Sequence, residues 1–418
     1  MLIHKAFRYR IYPSDEQIDR LNRWSDALRF LWNLALEQRL MGMHRTDKRY
    51  PTAFDQINEL TPLRAELPWL ADVPRDVSNR LLIELDLAWQ RCFKKICRAP
   101  QWKKKGDRPL NICNPHVPKW RWKLENGDLR FQKIGHMKAV VHRPLEGSPR
   151  SCVLTREADQ WVACITCAVE IGDPSPPSGP PIGIDVGITN LLADSEGRRV
   201  PNPKHLQASQ RRLARAQRAA SRKQKGSNNR KKSNTRVARI YRKVRRQRDH
   251  VLHVESLRYA KNHSVVVIER LQIGSMSRRT NGSVEQPSAN AKAKTGLNRS
   301  ILAAGWGRFG QMLGYKTIWH GSQLQRKTPK YSSMECAKCH CIDVLNRAGE
   351  RFLCVGCGNA DHADNNAAKV IVSRRTDGGA VCGGSGTGRP VKQKLRVVRR
   401  GSRPKGCGIR NPAQRRPT

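Results

Sequence analysis

The sequence predicts a mixed α/β protein of more than one unit, and three observations carry that reading. An alternating strand pattern at the start gives way to apolar residues at helical spacing. Two short apolar runs, IGIDVGITNLLA and SVVVIER, read as buried strands that each carry an acid. Two Cys-x-x-Cys pairs near residue 345 read as a metal-held module.

The chain has 418 residues, 80 Lys and Arg against 34 Asp and Glu, and a formal charge of +46. At roughly 100–200 residues per domain, this length allows two to four domains. Such an excess repels itself in a compact state and implies a polyanionic partner, nucleic acid or an anionic membrane. No stretch approaches the ~18–20 apolar residues of a membrane span. The start, MLIHKAFRYRIYPS, lacks the apolar core and cleavage site of a signal peptide, so a reducing compartment is expected. There the 13 cysteines are expected to serve as metal ligands rather than as a disulfide framework.

Residues 2–12, LIHKAFRYRIY, alternate as a half-buried strand that Pro13 ends. Ser14 and Gln17 form a capping box for a helix whose stripe is Ile18, Leu21, Leu28, Leu31, Trp32 and Ala35. Helical spacing continues to about residue 97 through Leu81, Leu82, Leu85, Leu87 and Trp89. Between about 100 and 172, runs such as HMKAVVH and WVACITCAVEI separated by turn residues predict a small β-domain. DPSPPSGPP, residues 173–181, reads as a linker because proline cannot donate to a ladder. Residues 201–250 hold 18 Lys and Arg and one acid, Asp249, and predict a basic arm or a pair of helices broken around Gly226-Ser227-Asn228-Asn229. Residues 277–298 are polar and read as a flexible loop, followed by a helix with Ile301, Leu302, Trp306, Phe309 and Leu313. From Arg374 onward, 13 Lys and Arg, nine glycines and one acid predict a disordered cationic tail.

Cys336-Ala-Lys-Cys339 and Cys354-Val-Gly-Cys357 are separated by fourteen residues, the spacing of a zinc ribbon. Four thiolates leave no open coordination position, so this Zn²⁺ is expected to fold its module rather than catalyse. Phe352 is placed to pack beneath it. Cys164 and Cys167 lie in a run that strand alternation already explains, with no second pair nearby.

Asp185, Glu269 and Asp364 each sit beside an apolar run. A buried carboxylate is costly unless it is paired or metal-bound. Brought together, the three could hold two Mg²⁺ about 3.5–4 Å apart, one activating water and one stabilising a leaving oxygen. Each acid also has an ordinary explanation: Asp185 capping a turn, Glu269 paired with Arg270, Asp364 capping a helix.

The chain resembles the TnpB family, RNA-guided nucleases of bacterial insertion sequences related to compact type V CRISPR effectors. The resemblance rests on FRYRIYPSDEQ, RFLWNLAL, WKKKG at 102–106, KIGHMKAVVHRPL at 133–145, GIDVGITNLL and KGSNNRKKS at 225–233. It continues through VVVIERL, LNRSILAAGWGRFGQMLGYK, TPKYSS, both cysteine pairs and HADNNAA, spanning about residues 3–372 in the family's order. It implies an RNase H-like RuvC nuclease domain at 182–331 and 358–373, split by a zinc ribbon at 332–357. Before it would stand a wedge-like β-barrel at 1–13 and 98–172, a helical recognition domain at 14–97 and the 173–181 linker. The tail, 374–418, lies outside the shared core. The family's catalytic, Mg²⁺-binding acids fall on Asp185, Glu269 and Asp364, and its zinc ligands on Cys336, Cys339, Cys354 and Cys357. Two departures concern the first knuckle: Ser332-Ser333-Met334 replaces the usual TSQ, and His340 replaces a usual glycine.

The implied partners are a guide RNA and double-stranded target DNA, with no membrane, in a monomer or dimer. The implied setting is the prokaryotic cytoplasm, in association with the nucleoid. Backbone phosphates would be met by the basic arm, with Arg230, Lys231 and Lys232, and by Trp102, Lys103, Lys104 and Lys105, which combine charge with a stacking surface. Trp120 and Trp122, interleaved with Lys119, Arg121 and Lys123, fit either stacking or strand packing. The activity implied is Mg²⁺-dependent cutting of DNA beside a short flanking motif at a single RuvC site. A compact CRISPR effector of the same ancestry, a non-cleaving RNA-guided binder and a guide-free transposase are the alternatives. The charge also predicts that the bare protein is poorly soluble and incompletely folded without its RNA.

Overall fold

The strand β1 (Leu2–Tyr12) buries Ile3, Phe7, Tyr9 and Ile11 on one face, as its alternation predicts. We analysed a computed structural model that describes residues 1–44, 46, 50–104, 110–115, 121–278 and 291–375, the side chain of 292 excepted. Lys105, Lys119, Trp120, residues 279–290 of the expected loop and residues 376–418 of the tail lie outside the described residues. The described residues belong to a unit spanning Met1–Arg375.

Helix α1 (Asp15–His44) starts at the expected capping box: Ser14 N donates to Gln17 Oε1 at 2.9 Å and Gln17 N to Ser14 Oγ at 3.3 Å. The helical region that follows is divided into α2 (Ala53–Glu66), the turn α3 (Pro68–Ala71) and α4 (Arg75–Phe93). Next come β2 (Ile112–Pro115), β3 (Trp122–Glu125), β4 (Asp128–Phe131), β5 (Gly135–Val140), β6 (Ser148–Glu157) and β7 (Gln160–Glu170). With β1 they make an antiparallel seven-stranded sheet ordered β2-β6-β7-β1-β5-β4-β3. Helices and sheet share one core, in which Trp24, Leu28 and Leu82 join Phe7, Phe131 and Ile165. Cys164 and Cys167 pair with Arg8 and Lys5 across β1, and burial pushes both thiols up.

After the linker, β8 (Ile182–Val186), β9 (Asn190–Asp194), β10 (Arg199–Pro201), β11 (Val265–Glu269) and β12 (Gln323–Lys327) form a second sheet ordered β10-β9-β8-β11-β12. β8 runs antiparallel to β9 and parallel to β11, and β11 runs parallel to β12. Between β10 and β11 the basic segment forms α5 (His205–Ala208), α6 (Gln210–Ser221) and α7 (Asn228–Asn262). The break falls where Gly226 takes φ +87°, and α7 runs beyond the expected end of the arm. A thin apolar seam, Leu213 and Ala216 against Ile240, and a hydrogen bond from Gln217 Nε2 to Tyr241 Oη at 3.2 Å join the hairpin's helices.

The expected loop over 277–298 is corrected at 291–298, which are helical. A short turn, α8 (Ile273–Met276), is followed by α9 (Ala291–Ala304), which begins inside that segment. The polar count misled there, because AKAKTG contains strong helix formers. Lys294 and Asn298 then tie α9 to the carbonyls of Met276 and Ser277, at 2.8 and 3.1 Å. Helix α10 (Trp306–Trp319) packs Phe309 and Leu313 with Leu252 and Tyr259 of α7 against Ile182, Ile184, Val266 and Ile268.

The cysteine pairs belong to a small module with strands β13 (Arg347–Ala348), β14 (Arg351–Leu353) and β15 (Ala360–His362), which leads directly into α11 (Ala363–Ser373). Among the described residues no helix is long and apolar enough to cross a membrane.

Candidate functional site

Strand alternation decides which way the acids point. Ile182 and Ile184 face the core under α7 and α10, so Gly183 and Asp185 face the other side of the sheet. There α11 lies so close that a methyl group on Gly183 would sit 2.1 Å from the Ala368 carbonyl oxygen. Val266 and Ile268 likewise face the core, which turns Glu269, at the end of the adjacent parallel strand, to the same side as Asp185. Asp364 stands in the first turn of α11. The three acids, distant in sequence, are therefore brought to one end of one sheet face.

Their electrostatics report this proximity. Burial, with the charges of Glu269 and Asp364, pushes the Asp185 carboxyl up to about 7, and Arg347 acts against them. Burial also raises Glu269, opposed by a hydrogen bond from Ser332 and by Arg374. Ser332 Oγ donates to Glu269 Oε1 at 2.5 Å. Arg347 Nη2 donates to Asp364 Oδ1 at 3.2 Å, and Asn190 Nδ2 to Asp364 Oδ2 at 3.1 Å. Asp364 does not cap its helix: His362 holds the N-cap position, its Nδ1 accepting from Asp364 N at 3.3 Å. The sequence reading gave Ser332, Arg347 and Asn190 no part in the acidic site, because each meets its acid across 17 to 174 residues of chain and no local period marks such a partner.

The four thiol sulfurs of Cys336, Cys339, Cys354 and Cys357 lie within 4.8 Å of one another, the one group of three or more His, Cys, Asp or Glu ligand atoms gathered so tightly among the described residues. Thiols at this spacing suit the tetrahedral, sulfur-rich coordination of Zn²⁺. Against its burial, the backbone N–H groups of Cys357 and Gly356 pull Cys354 down, while, against the backbone N–H of Cys341, hydrogen bonds among the sulfurs push Cys339 up, as expected of thiols crowded at one point. Phe352 and Ala363 pack beneath Cys336 and Cys354. His340 takes φ +59°, the left-handed conformation in which a glycine would be unstrained, so its knuckle keeps that geometry despite the substitution. Its Nδ1 lies 2.9 Å from Glu335 Oε1, outside the thiol cluster.

The basic candidates divide. Trp102 is 47% exposed, and the strip around it is fastened to α1: Trp32 Nε1 donates to the Gln101 carbonyl at 3.1 Å, and Lys103 N to Asn33 Oδ1 at 2.8 Å. Lys103 Nζ lies 4.6 Å from the centre of the Trp32 ring, while Lys104 is exposed. Trp122 is only 6% exposed and belongs to the sheet core, which settles its two readings in favour of packing. Lys231 and Lys232 are exposed, whereas Arg230 donates to the Lys223 carbonyl at 2.7 Å and closes the arm's turn. Further along α7, Arg239 and Arg242 pair with Asp159 at 2.9 and 2.7 Å, and Arg245 and Arg246 with Glu157 at 3.0 and 3.1 Å. The arm thus finds, at the β6–β7 turn, acids that its own sequence lacks.

Comparisons with known proteins agree along the chain. The OrfB/IS605 family, described as "Probable transposase", matches residues 164–280. A "Helix-turn-helix domain" of the same family matches 1–46, and a "Cas12f1-like, TNB domain" matches 306–371. The chain is 32% identical to "Putative RNA-guided DNA endonuclease InsQ" of Escherichia coli K12 over 93% of this chain and 97% of that protein. It is 32% identical to a "Putative RNA-guided DNA endonuclease" of Streptomyces pristinaespiralis over 95% of each. A cryo-EM structure of a Cas12f1–sgRNA–target DNA complex has the same fold, with a TM-score of 0.52 at 13% identity over 89% of this chain and 99% of that one. With a third of its residues shared along nearly the whole length of such relatives, this chain belongs to the TnpB family.

Proposed function

We propose that the protein is an RNA-guided DNA endonuclease that cuts DNA by metal-dependent hydrolysis at one acidic site. The observation that carries this reading is the convergence of Asp185 and Glu269, on one face of the β8–β11 sheet, with Asp364 in the first turn of α11, where burial and the other two acids raise Asp185. A sheet with its second strand antiparallel and its first, fourth and fifth parallel supports an RNase H-like domain over 182–331 and 358–373, interrupted by the ribbon at 332–357. The antiparallel sheet at 1–13 and 98–172 and the helices at 14–97 would form the lobe that reads the DNA flanking motif. The names of the InsQ and Streptomyces relatives support guidance by RNA, and the Cas12f1 complex supports RNA and DNA as partners.

The acids fit the metal that this reading requires. All-oxygen ligands suit a hard cation, and Asp185 has too little solvent to carry its charge without a counter-ion. Asp185, Glu269 and Asp364 would hold Mg²⁺, which when bound lowers the pKa of an attacking water and stabilises the leaving 3′-oxygen. The chain's own residues prepare the site: Ser332 occupies one Glu269 oxygen, Arg347 and Asn190 orient Asp364, and Arg347 offsets the negative charge around Asp185. Zn²⁺ on the four cysteines would hold the ribbon together. Lys231 and Lys232 at the arm's tip, with Trp102, Lys103 and Lys104, offer phosphate and stacking contacts to RNA or the heteroduplex.

The test is cleavage by protein co-purified with its RNA, with and without Mg²⁺. Asp185→Ala should abolish cutting while RNA and target binding persist. Undiminished cutting by that variant would sink the assignment of the site.

A further inference from the structure

Ser332 is a buried serine, 5% exposed, whose hydroxyl reaches across from the start of the ribbon to the nuclease sheet. Its Oγ lies 2.5 Å from Glu269 Oε1 and 3.1 Å from the Pro329 carbonyl. What sets the position of this hydroxyl is the cysteine knuckle that follows it. Tyr331, at φ +63°, turns the chain so that its carbonyl accepts the N–H groups of Met334 and Glu335, both at 2.9 Å. Cys336 N then donates to the Cys341 carbonyl at 3.0 Å, closing the knuckle.

Two buried asparagines lock this segment from either side. Asn346, 1% exposed, donates to the carbonyls of Met334 and Cys341 at 2.8 and 3.1 Å and accepts from Val355 N at 2.9 Å, which joins one knuckle to the other. Asn366 of α11, fully buried, accepts from Ala337 N at 3.0 Å and donates to the Glu335 carbonyl at 2.7 Å. The segment 332–337 is thus held by the cysteine module and by the helix that carries Asp364, and its free end grips Glu269.

We infer that Ser332 is a positioning residue for the acidic site: its hydroxyl, placed by the zinc knuckle, fixes the Glu269 carboxylate so that the remaining oxygen faces the bound cation. This rests on the reading of the three acids as a divalent-metal site. A glutamate at a strand end swings freely about its terminal torsion unless something holds it. A hydrogen bond to one oxygen removes that freedom and leaves the other oxygen's lone pairs for a metal. Partners of this kind outside the ligand shell are worth about 10- to 100-fold in metal affinity.

The test uses the full-length chain co-purified with its RNA and follows Mn²⁺ binding by electron paramagnetic resonance, the binding that Asp185→Ala retains being subtracted as that of the RNA, with zinc content measured on the same samples. Ser332→Ala should retain its zinc yet bind Mn²⁺ about tenfold more weakly. Ser332→Thr, which keeps the hydroxyl, should restore the wild-type affinity. If Ser332→Ala matches the wild type in this Asp185-dependent Mn²⁺ binding, the positioning role is wrong and the metal site stands. If the wild type shows no Asp185-dependent Mn²⁺ binding, the metal-site reading fails and this inference with it. If Ser332→Ala loses its zinc and Ser332→Thr retains zinc but binds weakly, the serine serves the ribbon's fold instead, and the inference is overturned.

Discussion

Gly183 and Ala368 touch backbone to backbone: a methyl group on the glycine would lie 2.1 Å from the alanine's carbonyl oxygen. This approach sets the distance between the strand that carries Asp185 and the helix that carries Asp364. Gly183→Ala should therefore push α11 away, destabilise the fold by about 1–3 kcal/mol and reduce cleavage more than stability alone explains. Thermal melts beside cleavage rates check this. A variant with wild-type values for both would show that strand and helix are not packed this closely.

Asp185 gives the metal-free protein a pH signature. Its carboxyl titrates near 7 in the fold, above the ordinary 3.8, so the folded state holds a proton that the unfolded state has released. Stability without divalent cation should then fall as pH rises from about 4 to about 7 and level off above, since the folded state binds more protons across that window. Asp185→Asn should flatten this slope and exceed the wild type at pH 8 by up to roughly 3 kcal/mol. Urea unfolding at pH 5 and pH 8 measures it, and equal slopes for the two proteins would refute the assignment.

Removing one zinc ligand should propagate. Cys354→Ser leaves three thiols, and the module's small core of Cys336, Phe352, Cys354 and Ala363 cannot stand alone. Zinc content should drop, and because Ser332 and Arg347 both belong to this segment, cleavage should fall with it. A variant that lost its zinc and still cut at the wild-type rate would separate the two sites.

The two tryptophans should behave oppositely. Trp122→Ala opens a cavity in the sheet core and should cost about 3–5 kcal/mol. Trp102→Ala removes an exposed ring and should leave stability within about 0.5 kcal/mol while weakening RNA binding. Melting curves paired with filter binding distinguish them, and a reversed pattern would mean that the stacking surface lies elsewhere.

The arm should divide in the same way. Replacing exposed Lys231 and Lys232 with Ala should weaken RNA binding and lower its salt slope by about one for each phosphate no longer neutralised. Replacing Arg245 and Arg246, which pair with Glu157, should mainly reduce stability. Salt titrations of binding decide it. Equal effects from both pairs would mean that Glu157 releases its arginines to RNA.

Much of the fold could be read from the chain because the informative signals were local. Alternation in LIHKAFRYRIY, the Ser14–Gln17 box, the helix break at Gly226 and the ribbon spacing are each set within a few residues, and each element appears where expected. Segments decided by distant partners were less legible. The start of α9 lay hidden in a polar stretch, and Trp122 showed no sign of whether it faced core or solvent.

The sequence by itself determined the residue types: four thiols at ribbon spacing, three acids beside apolar runs and an excess of +46. Those are properties of composition and period, carried by each segment alone. Only the tertiary structure decided that Glu269 meets Ser332, that Asp364 meets Arg347 and Asn190, and that four arginines of α7 are occupied by Glu157 and Asp159. Hydrogen bonds and ion pairs of this range depend on how a sheet face, a helix and a ribbon close on one another. No local period encodes that closure, so the partners of a buried charge become visible only once the chain has folded around it.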